Sequence, residues 1–149
     1  MPKETERKFL IRGEFRHLSV RKSEIIQAYL SIDPEKTIRL RIEGRKAFLT
    51  IKGRPQENSI TRDEWEFKIP AAYAAEMMKL CLPGKIEKTR YIIPSGGHYY
   101  EVDEFHGKNE GLVIAEIELQ SESEQFEKPG WLGEEVTGKP EYYNSSLKK

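Results

Sequence analysis

Two carboxylates and an ammonium stand at every second position of the segment Glu4-Thr5-Glu6-Arg7-Lys8. In an extended strand alternate side chains point to one face, so Glu4, Glu6 and Lys8 would share a side. Carboxylates without histidine or cysteine favour hard cations such as Mg²⁺ or Mn²⁺, and an ammonium binds phosphoryl oxygens as a point charge. This spacing indicates a site for a metal and a polyanion, although a sheet face in contact with water would give the same pattern.

The same period-two alternation of charged and apolar residues recurs along the chain, and the charges of one sign cluster within each strand. Neighbours on one face of a strand lie about 7 Å apart, where two like charges repel by roughly 2 kcal/mol at an effective dielectric near 20. A face selected only for stability would tend to alternate its signs. A bound ligand would offset this repulsion. The clustered sets are Arg39 and Arg41, Lys88 and Arg90, Glu64 and Glu66, Glu101 and Asp103, and Glu116 and Glu118.

Eight strands are needed to position these side chains, and few helices are predicted. The strands are predicted at Lys3–Ile11, Glu24–Ile32, Lys36–Gly44, Lys46–Gly53, Ile60–Ile69, Ile86–Ile93, His98–Phe105 and Leu112–Gln120. A short helical turn is predicted at Gly13–Leu18 and a helix at Ala71–Leu80, with weaker helical patterns at Ser121–Phe126 and Glu141–Leu147.

Closure of the eight strands into an antiparallel barrel would remove every exposed sheet edge. If the charged faces turn inward, the interior is a hydrated channel, because buried unpaired charges are prohibitive. The apolar faces then need cover from outside. We expect the helix at Ala71–Leu80, with Tyr73, Met77 and Leu80 on one face, and the aromatic residues of the C-terminal region to supply it.

The composition predicts a single domain over residues 1–149, located in the cytoplasm. The 25 basic residues balance the 25 acidic ones, which argues against a general nucleic-acid or membrane surface. No apolar stretch is long enough to span a bilayer, and the lone Cys81 is expected to be buried. The sequence contains no P-loop or Rossmann motif, and the three histidines have no zinc-ligand spacing.

The ordered motifs of the chain resemble the CYTH superfamily, the triphosphate tunnel metalloenzymes. Glu4-Thr5-Glu6-Arg7-Lys8 fits the E-x-E-x-K signature of that superfamily, and further similar segments follow in order over nearly the whole chain. These segments are QAYL, TIRLR, LTIKG, EWE, KTRY, VDEFHG, AEIE and the closing YYN at residues 142–144. The resemblance implies an eight-stranded antiparallel tunnel, mainly β with a few helices outside, that binds triphosphate-containing substrates with Mg²⁺ or Mn²⁺.

The resemblance also implies roles for particular residues. The metal-binding acids would be Glu4, Glu6, Glu116 and Glu118, supported by Asp103. The phosphate-binding bases would be Lys8, Arg39, Arg41, Lys52, Arg62, Lys88 and Arg90. Lys8, Arg41, Glu64 and Glu66 are the residues expected to act in catalysis, the two glutamates by orienting water or holding a second metal.

The start of the chain resembles the compact bacterial branch associated with hydrolysis of inorganic triphosphate. A nucleoside or thiamine triphosphate remains an alternative substrate. Class IV adenylate cyclase activity and a non-catalytic polyphosphate-binding module are alternative functions, and a homodimer is one expected oligomeric state. Glu141 stands where relatives often place a basic residue, so either substrate binding is weaker here or Lys139, Lys148 or Lys149 substitutes for that base.

Overall fold

The computed structural model describes residues 3–57 and 59–147. Nine strands are present: β1 Lys3–Ile11, β2 Arg21–Asp33, β3 Lys36–Glu43, β4 Lys46–Gly53, β5 Thr61–Ile69, β6 Ile86–Ser95, β7 His98–Phe105, β8 Val113–Glu118 and β9 Leu132–Glu135. The α-helices are α1 at Ala71–Met77 and α2 at Asn144–Leu147. Short 3₁₀ segments lie at Arg16–Leu18, Met78–Leu80, Gly107–Asn109 and Pro140–Tyr142.

The first eight strands form the closed antiparallel barrel that the sequence predicts. Neighbouring strands follow the order β5-β4-β3-β2-β6-β7-β8-β1, and a further pairing of β1 with β5 closes the ring. The closing register is short, with Lys3 opposite Asp63, Glu4 opposite Arg62 and Thr5 opposite Thr61. Closure leaves no free edge between these eight strands.

The charged faces of the strands point into the barrel, as the alternation predicts. The register places charged residues opposite charged residues from strand to strand, because paired residues share a face. Lys8 lies opposite Glu116, Arg90 opposite Asp103, and Lys52 opposite Glu64. Most of the interior is therefore built from acids and bases, and most apolar residues of the strands face outward.

Two apolar clusters cover the outside of the barrel. The larger cluster contains Phe9, Tyr100 and Ile117 from the barrel wall and is covered by Phe15 and Trp131. Trp131 packs edge-on against Tyr100, with ring centroids 5.3 Å apart. Burial of these aromatic rings holds the segments that flank β9 and precede β2 against the wall.

The smaller outer cluster lies under α1. Ala74 of this helix packs on Leu40 and Ala47, and Met77 and Met78 join them from the side. The prediction for this helix is partly wrong, because Tyr73 and Leu80 are exposed. The sequence pattern predicted Tyr73 as the start of the buried face. In the structure the neighbouring Ala74 makes the contact, because its small side chain allows the helix to approach the sheet closely.

An apolar plug fills one end of the barrel interior. Tyr29, Ile86, Phe105 and Ile114 point inward from four strands, and Leu147 of α2 packs against them. The prediction that the C-terminal aromatic residues cover the outside of the barrel is wrong for Tyr143, which lines the cavity inside it. The C-terminal segment enters the barrel end because the inward residues there are apolar and need burial.

Strand β9 was not predicted from the sequence. Strand β5 pairs with the first residues of β1, and β9 pairs with the last ones, at Phe9 and Ile11. Gly133 of β9 passes so close to β1 that an added Cβ would lie 2.9 Å from the Leu10 carbonyl oxygen. The Arg7 guanidinium binds the Glu135 carboxylate through two hydrogen bonds of 2.8 and 2.9 Å, which fixes this pairing. The predicted helix at Ser121–Phe126 is wrong, because the segment forms turns and irregular structure.

Candidate active site

A cavity of about 290 Å³ runs through the charged interior of the barrel. Of the residues that the sequence predicts for the site, those that line the cavity are Glu4, Glu6, Lys8, Arg39, Arg41, Lys52, Arg62, Glu64, Glu66, Arg90, Glu116 and Glu118. Lys88 and Asp103 are absent from the lining. Side chains from all the strands except β9 contribute to it, so the cavity depends on closure of the barrel.

The wall formed by β3 presents two arginines with unused hydrogen-bond donors. The Nε atoms of Arg39 and Arg41 are buried and have no hydrogen-bond partner among the described residues. Glu66 lies 3.9 Å from the Arg39 guanidinium and 3.6 Å from that of Arg41, both too long for strong hydrogen bonds. Burial, with repulsion from neighbouring Arg39, lowers the pKa of Arg41. Glu43 also lies 3.7 Å from the Arg41 Nε, again beyond a strong hydrogen bond, so both Nε donors can still bind an anion.

Glu66 is held in place by a hydroxyl group of β4. The Thr50 hydroxyl donates a 2.8 Å hydrogen bond to the Glu66 carboxylate and lies 3.4 Å from a terminal nitrogen of Arg39. The neighbouring acid on β5, Glu64, lies 3.6 Å from the Lys52 ammonium. Both predicted acids of β5 thus face the cavity beside bases that the sequence assigned to phosphate binding.

Lys52 and Arg62 both bind Glu4. The Lys52 ammonium donates hydrogen bonds of 2.9 and 3.0 Å to the two carboxylate oxygens of Glu4, and the Arg62 Nε lies 3.3 Å away. Glu4 and Lys52 are both largely buried, so this ion pair is shielded from bulk water. In this arrangement Glu4 is neutralised by protein cations, and a metal ion would have to compete with them.

The remaining acids cluster where β1 and β8 pair. Glu6 lies opposite Glu118, and Lys8 lies opposite Glu116. Burial raises the pKa of Glu116, and nearby Glu6 raises it further. Burial also raises the pKa of Glu118, with the negative charges of Glu4 and Glu6 adding to the effect. The cluster thus carries more negative charge than its surroundings neutralise.

The chemistry of these acids fits a hard divalent cation, which binds carboxylate oxygens. Within residues 3–57 and 59–147, no three side chains among Asp, Glu, His and Cys are arranged to hold a metal ion by themselves. One of these acids, Glu116, already has a cation near it, because the Lys8 ammonium lies 4.0 Å from its carboxylate. A metal at this wall would therefore need substrate oxygens or water to complete its coordination.

Asp103 and Lys88 form a deeper layer, buried below the cavity. The Asp103 carboxylate accepts hydrogen bonds of 2.8 and 3.0 Å from the Arg90 guanidinium, and the Lys88 ammonium lies 2.7 Å away. These two cations hold the pKa of Asp103 well below its usual range although burial opposes them. Asp103 thus orients Arg90, which does line the cavity.

The C-terminal segment reaches this buried layer. The Asn144 side-chain oxygen accepts hydrogen bonds from Gln27 Nε2 at 2.8 Å and from Lys88 Nζ at 3.0 Å. The ring of the preceding residue, Tyr143, has the Lys8 ammonium 5.5 Å from its centroid, within the range of a cation–π interaction. Sequence reasoning noted these residues only as part of a motif and assigned them no role in the site.

Several other lining residues were missed or left open. Glu101 shares a strand face with Asp103, so the period-two alternation already placed it inside the barrel, although it was not predicted as a site residue. Arg21 precedes the predicted start of β2, and Glu43 ends β3. Tyr29 both lines the cavity and belongs to the apolar plug, and the sequence alone does not distinguish a ligand contact from a structural role for it. The lining residues that were not predicted are Arg21, Thr37, Glu43, Thr50, Ile92, Glu101, Tyr143, Asn144 and Ser145.

Glu141, at the position where the resemblance implied a base, is exposed and does not line the cavity. Lys139, a suggested substitute, is bound to Glu134 at 3.3 Å and is also absent from the lining. The other suggested substitutes, Lys148 and Lys149, lie outside the described residues. No helix among the described residues has the length and apolar composition needed to cross a membrane.

The fold and the cavity define an antiparallel β-barrel closed around a charged tunnel. Comparison with known proteins assigns this architecture to a family: the CYTH domain matches residues 2–149. The inorganic triphosphatase of Acetivibrio thermocellus is 46% identical over 151 aligned residues, which cover 100% of this chain and 95% of the relative. The inorganic triphosphatase of Nitrosomonas europaea is 33% identical over 153 aligned residues, covering 97% of this chain and 95% of the relative.

A solved structure agrees with these sequence relatives. The crystal structure of the inorganic triphosphatase NE1496 superposes with a TM-score of 0.63 and 31% sequence identity, covering 97% of this chain and 96% of that chain. The present chain belongs to the CYTH domain family.

Proposed function

We propose that this protein hydrolyses inorganic triphosphate in the barrel cavity, with the help of a divalent metal ion. The observation that carries the proposal is the pair of buried Nε donors of Arg39 and Arg41, which face the cavity without a hydrogen-bond partner among the described residues. Unsatisfied buried donors are costly, and phosphoryl oxygens satisfy arginine donors in a bidentate geometry. The names of the two sequence relatives support triphosphate as the substrate.

The distribution of charge supports a bound polyanion together with a cation. Bases of β3, β4 and β6 face the cavity from one side, and the acids of β1 and β8 face it from another. A phosphate chain between the walls would receive hydrogen bonds from the bases, while a metal ion would relieve the repulsion among the acids. The crowded acids for this ion are Glu6, Glu116 and Glu118, with Glu4 joining them if Lys52 releases it.

The metal would be Mg²⁺ or Mn²⁺, because all the candidate ligands are carboxylate oxygens. When bound, such an ion supplies charge neutralisation at the phosphoryl oxygens. Arg39, Arg41 and Lys8 would bind the phosphate chain and stabilise the charge that develops on it. Asp103 would keep Arg90 oriented for the same purpose.

In the reaction, water attacks the terminal phosphorus in line with the bond that breaks. The new P–O bond forms orthophosphate, the bridging P–O bond breaks, and diphosphate leaves with the electron pair. Glu64 and Glu66 face the cavity from β5, so either carboxylate can orient the water and accept its proton. Phosphoryl transfer asks little more of a protein than positioning and charge neutralisation, which these residues provide.

The cavity lining favours hydrolysis of an inorganic chain over the cyclase alternative. Among the described residues, the apolar or aromatic side chains in the lining are those of Tyr29, Ile92 and Tyr143. Tyr29 is almost fully buried in the plug, and the Tyr143 ring is engaged with Lys8. This leaves a poor platform for a purine or thiamine ring, whose binding normally uses apolar and aromatic contacts.

The proposal predicts loss of activity when Arg41 is removed. Purified protein is incubated with tripolyphosphate and Mg²⁺ or Mn²⁺, and orthophosphate release is measured. Arg41→Ala should lower kcat/KM by roughly 10²- to 10³-fold, the usual effect of removing one donor to transition-state charge. ATP, GTP and thiamine triphosphate are tested in parallel, with cyclic AMP measured in the ATP reaction.

Arg45→Ala is the matched control, because Arg45 lies in the exposed turn after β3 and is absent from the cavity lining. It should leave the rate unchanged. Wild-type rates in Arg41→Ala would contradict the assignment of the phosphate site. Metal-dependent ligand stabilisation without phosphate release would favour the non-catalytic binding module, and cyclic AMP formation would favour the cyclase.

Four further predictions accompany this function. We expect the protein to act in the cytoplasm as a single domain, without a nucleic-acid or membrane partner. We also propose a homodimer as its oligomeric state, which light scattering coupled to size-exclusion chromatography would test.

A further inference from the structure

We propose that Arg21 forms a subsite at the mouth of the tunnel, which binds the phosphate that follows the first three in a linear polyphosphate. The chemical class of the ligand is therefore an inorganic polyphosphate longer than triphosphate. This inference rests on the proposed function, because it assumes that the inner part of the cavity binds a triphosphate unit. It assigns a role to a residue that precedes the predicted start of β2 and was not predicted for the site.

The register of β2 and β6 fixes the position of Arg21. Ser23 lies opposite Arg90, and Arg21 lies opposite Ile92. Arg21 is thus one inward-facing position beyond Arg90, which corresponds to about 7 Å along the strands. Both Arg21 and Ile92 line the same cavity as Arg90. The guanidinium of Arg21 therefore lies further out than the predicted phosphate-binding bases of β6.

Arg21 differs from the other bases of the tunnel in having no partner. Its side chain makes no hydrogen bond or ion pair with any residue in the described part of the chain. Glu43 of the neighbouring strand β3 also lines the cavity, but it is engaged with the Ser23 hydroxyl at 2.6 Å and with Arg41 at 3.7 Å. Glu101 is likewise engaged, with the Arg90 guanidinium at 3.3 Å. All five donors of Arg21 remain available to an anion.

The closed end of the barrel determines the direction in which a longer chain extends. The plug of Tyr29, Ile86, Phe105, Ile114 and Leu147 fills the interior beyond the Lys88 layer. Lys88 and Asp103 above this plug are almost completely buried and bind each other, so they leave no room for a phosphate. A chain longer than triphosphate must therefore emerge past Ile92, where Arg21 lies.

The test compares linear tetraphosphate with tripolyphosphate in the variant Arg21→Ala. Removal of charge-assisted hydrogen bonds to the outer phosphate should raise KM for tetraphosphate about tenfold. KM for tripolyphosphate should change by less than about twofold, and kcat should be retained for both substrates. Lys22→Ala is the matched control: Lys22 is the next residue, also exposed, and is absent from the cavity lining. It should change neither constant.

Equal changes in KM for the two substrates in Arg21→Ala would overturn the subsite, as would an equal effect of Lys22→Ala. Calorimetric titration measures the affinity for tetraphosphate and for tripolyphosphate without requiring turnover. It therefore distinguishes a failure of the subsite from a failure of the proposed hydrolytic function. If the wild type hydrolyses neither ligand, the proposed function fails. A selective loss of tetraphosphate affinity in Arg21→Ala would still support the subsite, and unchanged affinity would overturn it.

Discussion

At the scale of single residues, the role of each charged side chain in the tunnel depends on its ion-pair partners and on its depth along the barrel axis: Asp103 binds Arg90 and Lys88, and only Arg90 of these three lines the cavity. The period-two alternation correctly predicted that Lys88, Arg90 and Asp103 lie on the inward faces of their strands. It did not show that Lys88 and Asp103 lie below the cavity while Arg90 lines it. That distinction depends on depth along the barrel axis, which is set by the stagger of the strands and by the plug. The alternation within one strand contains no information about either.

The buried ion pair around Asp103 should contribute strongly to stability. Asp103→Asn removes the charge that neutralises Arg90 and Lys88, leaving two cations in the barrel interior. Breaking a buried pair from one side typically costs about 3–5 kcal/mol in the free energy of unfolding. Urea denaturation at neutral pH measures this cost. Asp63→Asn, which removes the exposed ion pair with Lys3 at 2.9 Å, is the control and should cost at most about 1 kcal/mol.

The same ion pair predicts the direction of an acid effect. The pKa of Asp103 is lower in the folded protein than its ordinary value of 3.8. The unfolded chain therefore takes up this proton first as the pH falls, and the stabilisation from Asp103 is lost below that value. Wild-type protein should lose more stability than Asp103→Asn between neutral pH and pH values below about 4. Parallel losses in the two proteins would show that Asp103 makes no such contribution.

At the scale of elements, the eight barrel strands were predictable because each alternates charged and apolar residues over many positions. The boundaries of β1, β4 and β7 match the prediction. Strand β9 has four residues and contains Gly133, so it shows no alternation from which to infer a strand. The C-terminal segment was predicted as helical, but its entry into the barrel depends on the shape of the open end. The shape of that end cannot be predicted from the residue pattern of any single segment.

The position of α2 should depend on Asn144. Asn144→Ala removes the acceptor for Gln27 and Lys88, and the Gln27 side chain would then have no partner, since its Oε1 atom is already unpaired. We expect the free energy of unfolding to fall by about 1–3 kcal/mol, the cost of leaving buried polar groups unsatisfied. Thermal and urea denaturation measure the change. Ser146→Ala, at an exposed position of the same helix, should be neutral; equal losses in both variants would mean that Asn144 has no special role.

At the scale of the whole molecule, the net charge of zero gives no indication of how the charges are arranged inside the barrel. The 25 acidic and 25 basic residues cancel over the chain, yet closure of the barrel gathers charged side chains of each sign around one cavity. The alternation and the family resemblance were sufficient to predict this closure. The closed end and the exposed mouth at Arg21 were not predicted, because they result from how the C-terminal segment and the strand ends meet in space.

The central claim is that the enclosed charged faces bind a phosphate chain. The most direct test is a crystal structure of the protein soaked with tripolyphosphate. We predict phosphate oxygens within about 3 Å of the Nε atoms of Arg39 and Arg41, inside the cavity. An unchanged cavity at saturating ligand, or phosphate bound only on the outer surface of the barrel, would contradict the account.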